Sequence, residues 1–233
     1  MTAAIEHSLD GVVITEHDTL WGEAEIEELR EAFPQLVILR GIEVHTATGE
    51  DIVVLGITDS SLFHRYMKDA VLGEIINEYQ GAAILAHPYR YQNTVSAESL
   101  KLPLHGVEIA SSNIRKYMQE PTSRLISEYN LCPIVSSDAH WPENMGLYGV
   151  EFAYRVTTES QLAAAIRQGD FKLFMNGPRV KQINTELEDE ISLARRLMSQ
   201  GYSNYEIRDL CGFSLSMLGA LRADREVKLI TIP

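Results

Sequence analysis

Ala82-Ala83-Ile84-Leu85-Ala86-His87-Pro88 is a run of five small or apolar residues that ends at once in an imidazole and a proline. Gly81 precedes it. So short an apolar run reads as a strand buried on both faces, as in parallel sheets covered by helices. Three other fragments repeat the layout. Gly11–Ile14 lead into Thr15-Glu16-His17-Asp18, Val37–Leu39 lead into Gly41-Ile42-Glu43, and Pro133–Val135 lead into Ser136-Ser137-Asp138-Ala139-His140. Each places metal-friendly side chains just past a strand-like run. In a parallel α/β barrel the C-terminal ends of the strands form one rim, and chemistry happens there. Four such fragments at the same place in the strand point to a metal-dependent active site.

Outward from these fragments, strand and helix signals alternate. Glu23–Phe33 carries Ile26, Leu29 and Phe33 at helical spacing and stops at Pro34. Leu36–Val44 and Asp51–Ile57 read as strands about a turn at Thr46–Glu50, and Arg65–Tyr79 is amphipathic. Gly106–Ile109, Val150–Tyr154 and Phe171–Met175 read as strands, with Ile114–Tyr129 and Thr158–Gln168 helical. The alternation predicts a parallel α/β barrel over residues 1–180. Gly177-Pro178 breaks the pattern, so a boundary is expected near 177–187.

Residues 186–233 read as a helical appendage. Glu188–Gln200 runs into Gly201, and Ser203-Asn204-Tyr205-Glu206 has the form of a capping box that starts a second helix. That helix stops at Gly212, and a third begins near Ser214 or Ser216. The arrangement resembles a helix-turn-helix, with Ala194, Leu197, Ile207, Leu210 and Leu218 as its small core. Only Arg222, Arg225 and Lys228 lie near the third helix, a thin footprint for nucleic acid. A helical cap or a dimerisation unit is the competing reading.

The 233 residues carry a net charge of −13, which argues against a surface built to grip nucleic acid or anionic membrane. A small anionic substrate is still compatible, because bound cations reverse the local field. Cys132 and Cys211 sit in separate segments and suggest no disulfide framework. No stretch approaches the length of a membrane span and the N-terminus lacks the layout of a signal peptide, so a cytoplasmic location is expected.

The candidate ligands follow from residue chemistry. Imidazole nitrogen and carboxylate oxygen are the usual ligands of zinc, manganese or iron. His17 is flanked by Glu16 and Asp18. Glu43 and Glu108 are carboxylates on otherwise apolar strands, and a buried carboxylate needs a partner, either an arginine or a metal. His87 is either a backbone-bonded core histidine or a ligand. Asp138 and His140, two apart in an extended segment, face the same side. Arg90, three residues past His87, and Arg115-Lys116, just after Glu108, are candidates for holding a phosphate, against the plainer reading of solvated surface charges.

In this order, Thr15-Glu16-His17-Asp18, Gly41-Ile42-Glu43, Ala86-His87-Pro88, Gly106-Val107-Glu108 and Ser137-Asp138-Ala139-His140 resemble the motifs of the PHP family, the polymerase and histidinol phosphatase domain, over residues 1 to about 155. The resemblance implies a distorted barrel of seven βα units, a TIM-like (β/α)7 form, with two or three divalent metals at the strand C-termini. It implies phosphoester hydrolysis, family members acting on histidinol phosphate, on nucleotides and on oligonucleotide ends. His17, Glu43, His87, Glu108, Asp138 and His140 would hold the metals, with Glu43 bridging two of them. A bridging hydroxide would attack phosphorus, and His87 or His140, if not fully committed to metal, would protonate the leaving group.

The chain departs from the family in lacking the opening Asp-Leu-His-x-His strand; His7 is its only histidine before His17. Either the reading frame starts late or one metal site is incomplete. A barrel without that first strand leaves a sheet edge open to pairing, which makes a homodimer an expectation. Glu16 also stands where the family usually has Asp, and the insertion that some relatives carry before the His-Pro motif is short here. Two functional classes follow. One is a metal-dependent phosphoesterase acting on a small phosphate ester or nucleotide. The other is a catalytically impaired PHP-like regulatory or binding module whose C-terminal helices contact nucleic acid or a protein partner. An amidohydrolase-type barrel ranks below both.

Overall fold

The computed structural model of the chain describes residues 1–232. Short α1 (Thr2–Glu6) leads to β1 (Gly11–His17), α2 (Glu23–Ala32) and then the hairpin β2 (Val37–His45) and β3 (Asp51–Leu55). α3 (Asp69–Glu78), β4 (Ala82–Leu85), β5 (Leu104–Ala110), α4 (Gln119–Tyr129) and β6 (Pro133–Val135) follow. Next come β7 (Tyr148–Glu151), α5 (Glu159–Gln168) and β8 (Lys172–Met175), then the helices α6 (Gly177–Ser199), α7 (Asn204–Cys211) and α8 (Leu215–Arg222). No helix among the described residues is long and apolar enough to cross a membrane.

β1 to β6 form one curled half-barrel sheet in sequence order, while β7 and β8 pair separately. The sheet is mixed rather than parallel throughout, a correction to the sequence reading. β3 runs antiparallel to both β2 and β4. The reason is length: Thr46–Glu50 is too short for the crossover that a parallel connection needs. β7 and β8 are likewise antiparallel.

Two apolar layers cover the sheet. Ile42, Val44, Ile52, Val54, Leu85 and Val107 pack against Leu72 and Ile76 of α3 and Leu125 of α4. Leu39, Leu55, Ile84 and Ile134 pack against Leu162, Ala163 and Ile166 of α5. Side chains alternate across a strand, so Glu43 shares a face with Leu39, and Asp51 shares one with Leu55. That face is apolar where α5 covers it and turns acidic toward the other end of the strands.

The C-terminal part departs from expectation at its start. α6 begins at Gly177, inside the stretch read as a break. The Asn176 side chain caps it by accepting from the Arg179 N–H, and Pro178 occupies the first turn, where a missing N–H costs nothing. Val180 packs beside Ala110, Ile114 and Tyr148 at the half-barrel sheet. The two later helices begin and end as read: the Ser203–Glu206 capping box opens α7, Gly212 closes it at φ 73°, and Ser214 caps α8. Ala194, Ile207 and Leu218 form the core there with Leu187, Phe213 and Leu221, and Leu197 is partly buried. Leu210 is not part of that core; it is 62% exposed, and Ile207 is the buried residue of α7. Residues 226–230 then fold back on the half-barrel. Leu229 and Ile230 are buried, Tyr148 Oη donates to the Ile230 carbonyl at 2.7 Å, and the Tyr117 N–H donates to the Glu226 carbonyl.

Candidate metal centre

Glu43 is the hub. It lies near the end of β2, only 6% exposed. Its partners are imidazoles rather than an arginine. His87 Nε2 lies 2.9 Å from Oε1, and His17 Nε2 lies 3.8 Å from Oε2. His17 ends β1, and the parallel register sets it opposite Glu43. Asp51, 4% exposed, completes the group, and one ligand atom each from His17, Glu43 and Asp51 lie within 4.8 Å of one another. Asp51 Oδ2 also lies 4.0 Å from His87 Nε2.

Sequence reading missed Asp51. It looked for ligands at strand C-termini, but β3 is antiparallel, so its N-terminal residue arrives at the same rim. The available signal was the five-residue turn Thr46–Glu50, which forces that reversal.

Glu108, on β5, is joined to this group through the backbone: the His87 N–H donates to its Oε2 at 3.0 Å. Ser136 Oγ donates to the other oxygen. Burial pushes the Glu108 carboxyl up to about 7, with the His87 charge opposing. Burial disfavours charge on His87 itself, but the Glu43 hydrogen bond and the neighbouring carboxylates outweigh it, and its pKa is held above the ordinary value.

Asp138 and His140 form a second group. His140 Nδ1 lies 3.5 Å from Asp138 Oδ1, Asn113 donates to Asp138 Oδ2 at 2.6 Å, and Arg90 approaches that oxygen to 3.9 Å. The Asp138 charge acts on both His87 and Glu108, so the two groups are electrostatic neighbours. His140 is accessible, its side chain 52% exposed, as is His17 at 45%, against 3% for His87.

The basic candidates separate. Arg90 lines the cleft beside Asp51 and His87 and stacks over the Tyr91 ring, its guanidinium 4.9 Å from the ring centroid and so inside the roughly 6 Å reach of a cation–π contact. Lys116 is paired with Glu226 at 2.9 Å, and half-buried Arg115 bridges backbone to backbone with Leu229. Both therefore engage the returning C-terminal segment.

Three of the nine non-glycine residues with positive φ among the described residues stand here. Asp18, His87 and Asp138 hold positive φ angles of 54°, 25° and 44°. Such non-glycine conformations cost about 1–3 kcal/mol each and gather at functional sites.

Residues 122–171 match the family model described as PHP-associated. No curated protein matches the sequence significantly. Among solved structures, PsfC from Pseudomonas syringae is similar at a TM-score of 0.58 and 14% identity, over 82% of this chain and 87% of that one. A two-domain protein from Bacteroides vulgatus, described as containing a PHP-like metal-dependent phosphoesterase, matches at 0.57 and 15% identity, over 74% of this chain and 57% of its own. A protein from Bifidobacterium adolescentis described as a metal-dependent phosphoesterase matches at 0.51 and 14%, over 71% and 88%. At these identities the likeness is one of fold. The chain carries a PHP-associated segment on a fold that it shares with proteins described as PHP-like metal-dependent phosphoesterases.

Proposed function

We propose that the chain is a metal-dependent phosphoesterase, hydrolysing a small phosphate ester or nucleotide at a centre of two or three divalent cations such as zinc, manganese or iron. One observation carries this reading: Glu43 and Asp51 are buried carboxylates whose partners among the described residues are histidines, within reach of one another. Two buried carboxylates without a lysine or arginine are costly. Imidazole and carboxylate donors suit these cations, and the spacing needs to contract only modestly, since ligand atoms about 2.0–2.2 Å from one ion lie some 3.4 Å apart.

His17, Glu43, Asp51 and His87 would hold one cation, and Glu108 and Asp138 stand nearby for further ones. When bound, such ions polarise the phosphoryl group and supply hydroxide at neutral pH. The chain's own residues do the rest. Arg90, fixed between Tyr91 and Asp138, holds a phosphate oxygen at the cleft. His140, exposed and oriented by Asp138, gives the leaving oxygen its proton. His87, enclosed and bonded to Glu43, shapes the centre instead. Lys116 and Arg115 serve the C-terminal contact more than the substrate. The test is hydrolysis of p-nitrophenyl phosphate and a nucleotide panel after chelation and again after manganese or zinc is restored. Full activity in excess chelator would overturn the reading.

A second reading, a binding module of reduced catalytic power, is supported by the surface of α7, where Tyr205 and Leu210 are 63% and 62% exposed. Arg222 donates to Asn204 and Lys228 pairs with Glu188, which leaves few free cations for nucleic acid there and favours a protein partner. β1 is an edge strand, and pairing with a second copy through it is a further proposal. A chain that sediments as a monomer at high concentration would end it.

A further inference from the structure

His45 has no place in the proposed chemistry so far, yet three elements restrain it. It is the last residue of β2, and the hairpin register sets it directly opposite Asp51. Its Nδ1 lies 2.6 Å from Asp51 Oδ1. Its backbone N–H donates to Asp18 Oδ1 at 2.9 Å, and the Tyr66 ring meets its imidazole edge-on, centroids 5.5 Å apart. The turn between the strands fixes this pairing. Thr46 N–H donates to the Glu50 carbonyl, Gly49 N–H donates back to the Thr46 carbonyl, and Gly49 takes a φ of 87°. Asp51 thereby divides its two oxygens. Oδ1 takes the histidine, and Oδ2 faces His87 at 4.0 Å.

We propose that His45 is a positioning residue for the metal centre, donating Nδ1–H to Asp51 Oδ1 so that the carboxylate presents Oδ2 to the cation. A carboxylate only accepts, so Nδ1 carries the hydrogen whatever the charge of the ring. Outer partners of this kind fix the orientation of a ligand and raise metal affinity, and their loss costs roughly 10- to 100-fold. The inference rests on the metal-centre reading of Glu43, His17 and Asp51.

The experiment is calorimetric titration of the chelator-stripped full chain with MnCl2 alone, for the native protein, His45→Asn and His45→Gln. The asparagine amide nitrogen falls near the place of Nδ1, and the glutamine nitrogen near the place of Nε2. Both variants are polar and of similar bulk, and metal-free melting temperatures compare their folding. The expected result is native-like affinity in His45→Asn and a roughly 10- to 100-fold weaker Kd in His45→Gln. Equal affinity in all three proteins, or equal weakening in both variants, overturns the positioning role while leaving the metal centre in place. Failure of the native protein to bind manganese removes the metal-centre reading itself and this inference with it.

Discussion

Glu43 Oε1 and His87 Nε2 lie 2.9 Å apart although the residues are 44 positions apart in the chain. The pair is nearly sealed from water, the two side chains 7% and 3% exposed. In metal-free protein the imidazole proton is the counter-charge to the carboxylate. A cation would take over that work from the same position, so proton and metal compete for one place.

That competition sets a pH dependence. Burial opposes charge on His87 but its carboxylate neighbours win, so its folded pKa exceeds the ordinary 6.5. A raised value means that the folded state holds the proton more tightly. The resulting stability is full below 6.5 and is lost as pH rises through the folded value. Glu108, pushed from 4.5 up to about 7 chiefly by burial, acts with the same sign over that interval. Metal-free protein should therefore melt at lower temperature as pH rises from about 5.5 to 8, while manganese affinity rises. Melting scans on chelated protein check this, and a melting temperature that climbs with pH would contradict it.

Glu43→Gln keeps the shape but removes the charge that binds both the cation and the His87 proton. The expected outcome is hydrolysis reduced by at least about 100-fold with the fold retained, since outer-partner losses alone reach that scale. Circular dichroism and turnover of p-nitrophenyl phosphate measure the two halves. Near-native turnover would remove Glu43 from the centre.

Saturating metal should stabilise the chain. At a hundred times Kd the gain is about 2.7 kcal/mol, or roughly 5–10 °C in melting temperature for a chain of this size. Thermal scans with and without manganese, and with His17→Ala as control, test it.

Arg90→Ala should raise KM for a phosphate ester by roughly 10-fold, about 1.4 kcal/mol, and leave the calorimetric metal affinity unchanged. Steady-state kinetics beside a manganese titration separate the two. A loss of metal affinity would place Arg90 in support of Asp138 rather than on substrate.

Gly41→Ala probes the strand beneath the site. A Cβ there would lie 2.7 Å from Leu55 Cδ2 and 2.9 Å from the Val54 carbonyl oxygen. The leucine can turn but the backbone oxygen cannot, so a loss of about 1–3 kcal/mol is expected in denaturant unfolding.

Much of the frame was legible in local chemistry. Ala82–Leu85 forms its strand with the bounds read from apolar composition, and Ser203, Gly212 and Ser214 cap their helices because hydroxyl and glycine chemistry acts within a few residues. Strand direction is a non-local property, and there the reading lost Asp51. Gly177-Pro178 looked like a break, but proline is tolerated in the first turn of a helix, and here it begins one. Lys116 read as a free cation because nothing near it in sequence announces Glu226, which chain reversal brings to 2.9 Å.

The proposed chemistry requires a cation among His17, Glu43 and Asp51. Anomalous diffraction from crystals grown with zinc would locate it. A peak is expected about 2.0–2.2 Å from nitrogen of His17 and carboxylate oxygens of Glu43 and Asp51. A saturated crystal with no anomalous density among those three side chains would contradict it.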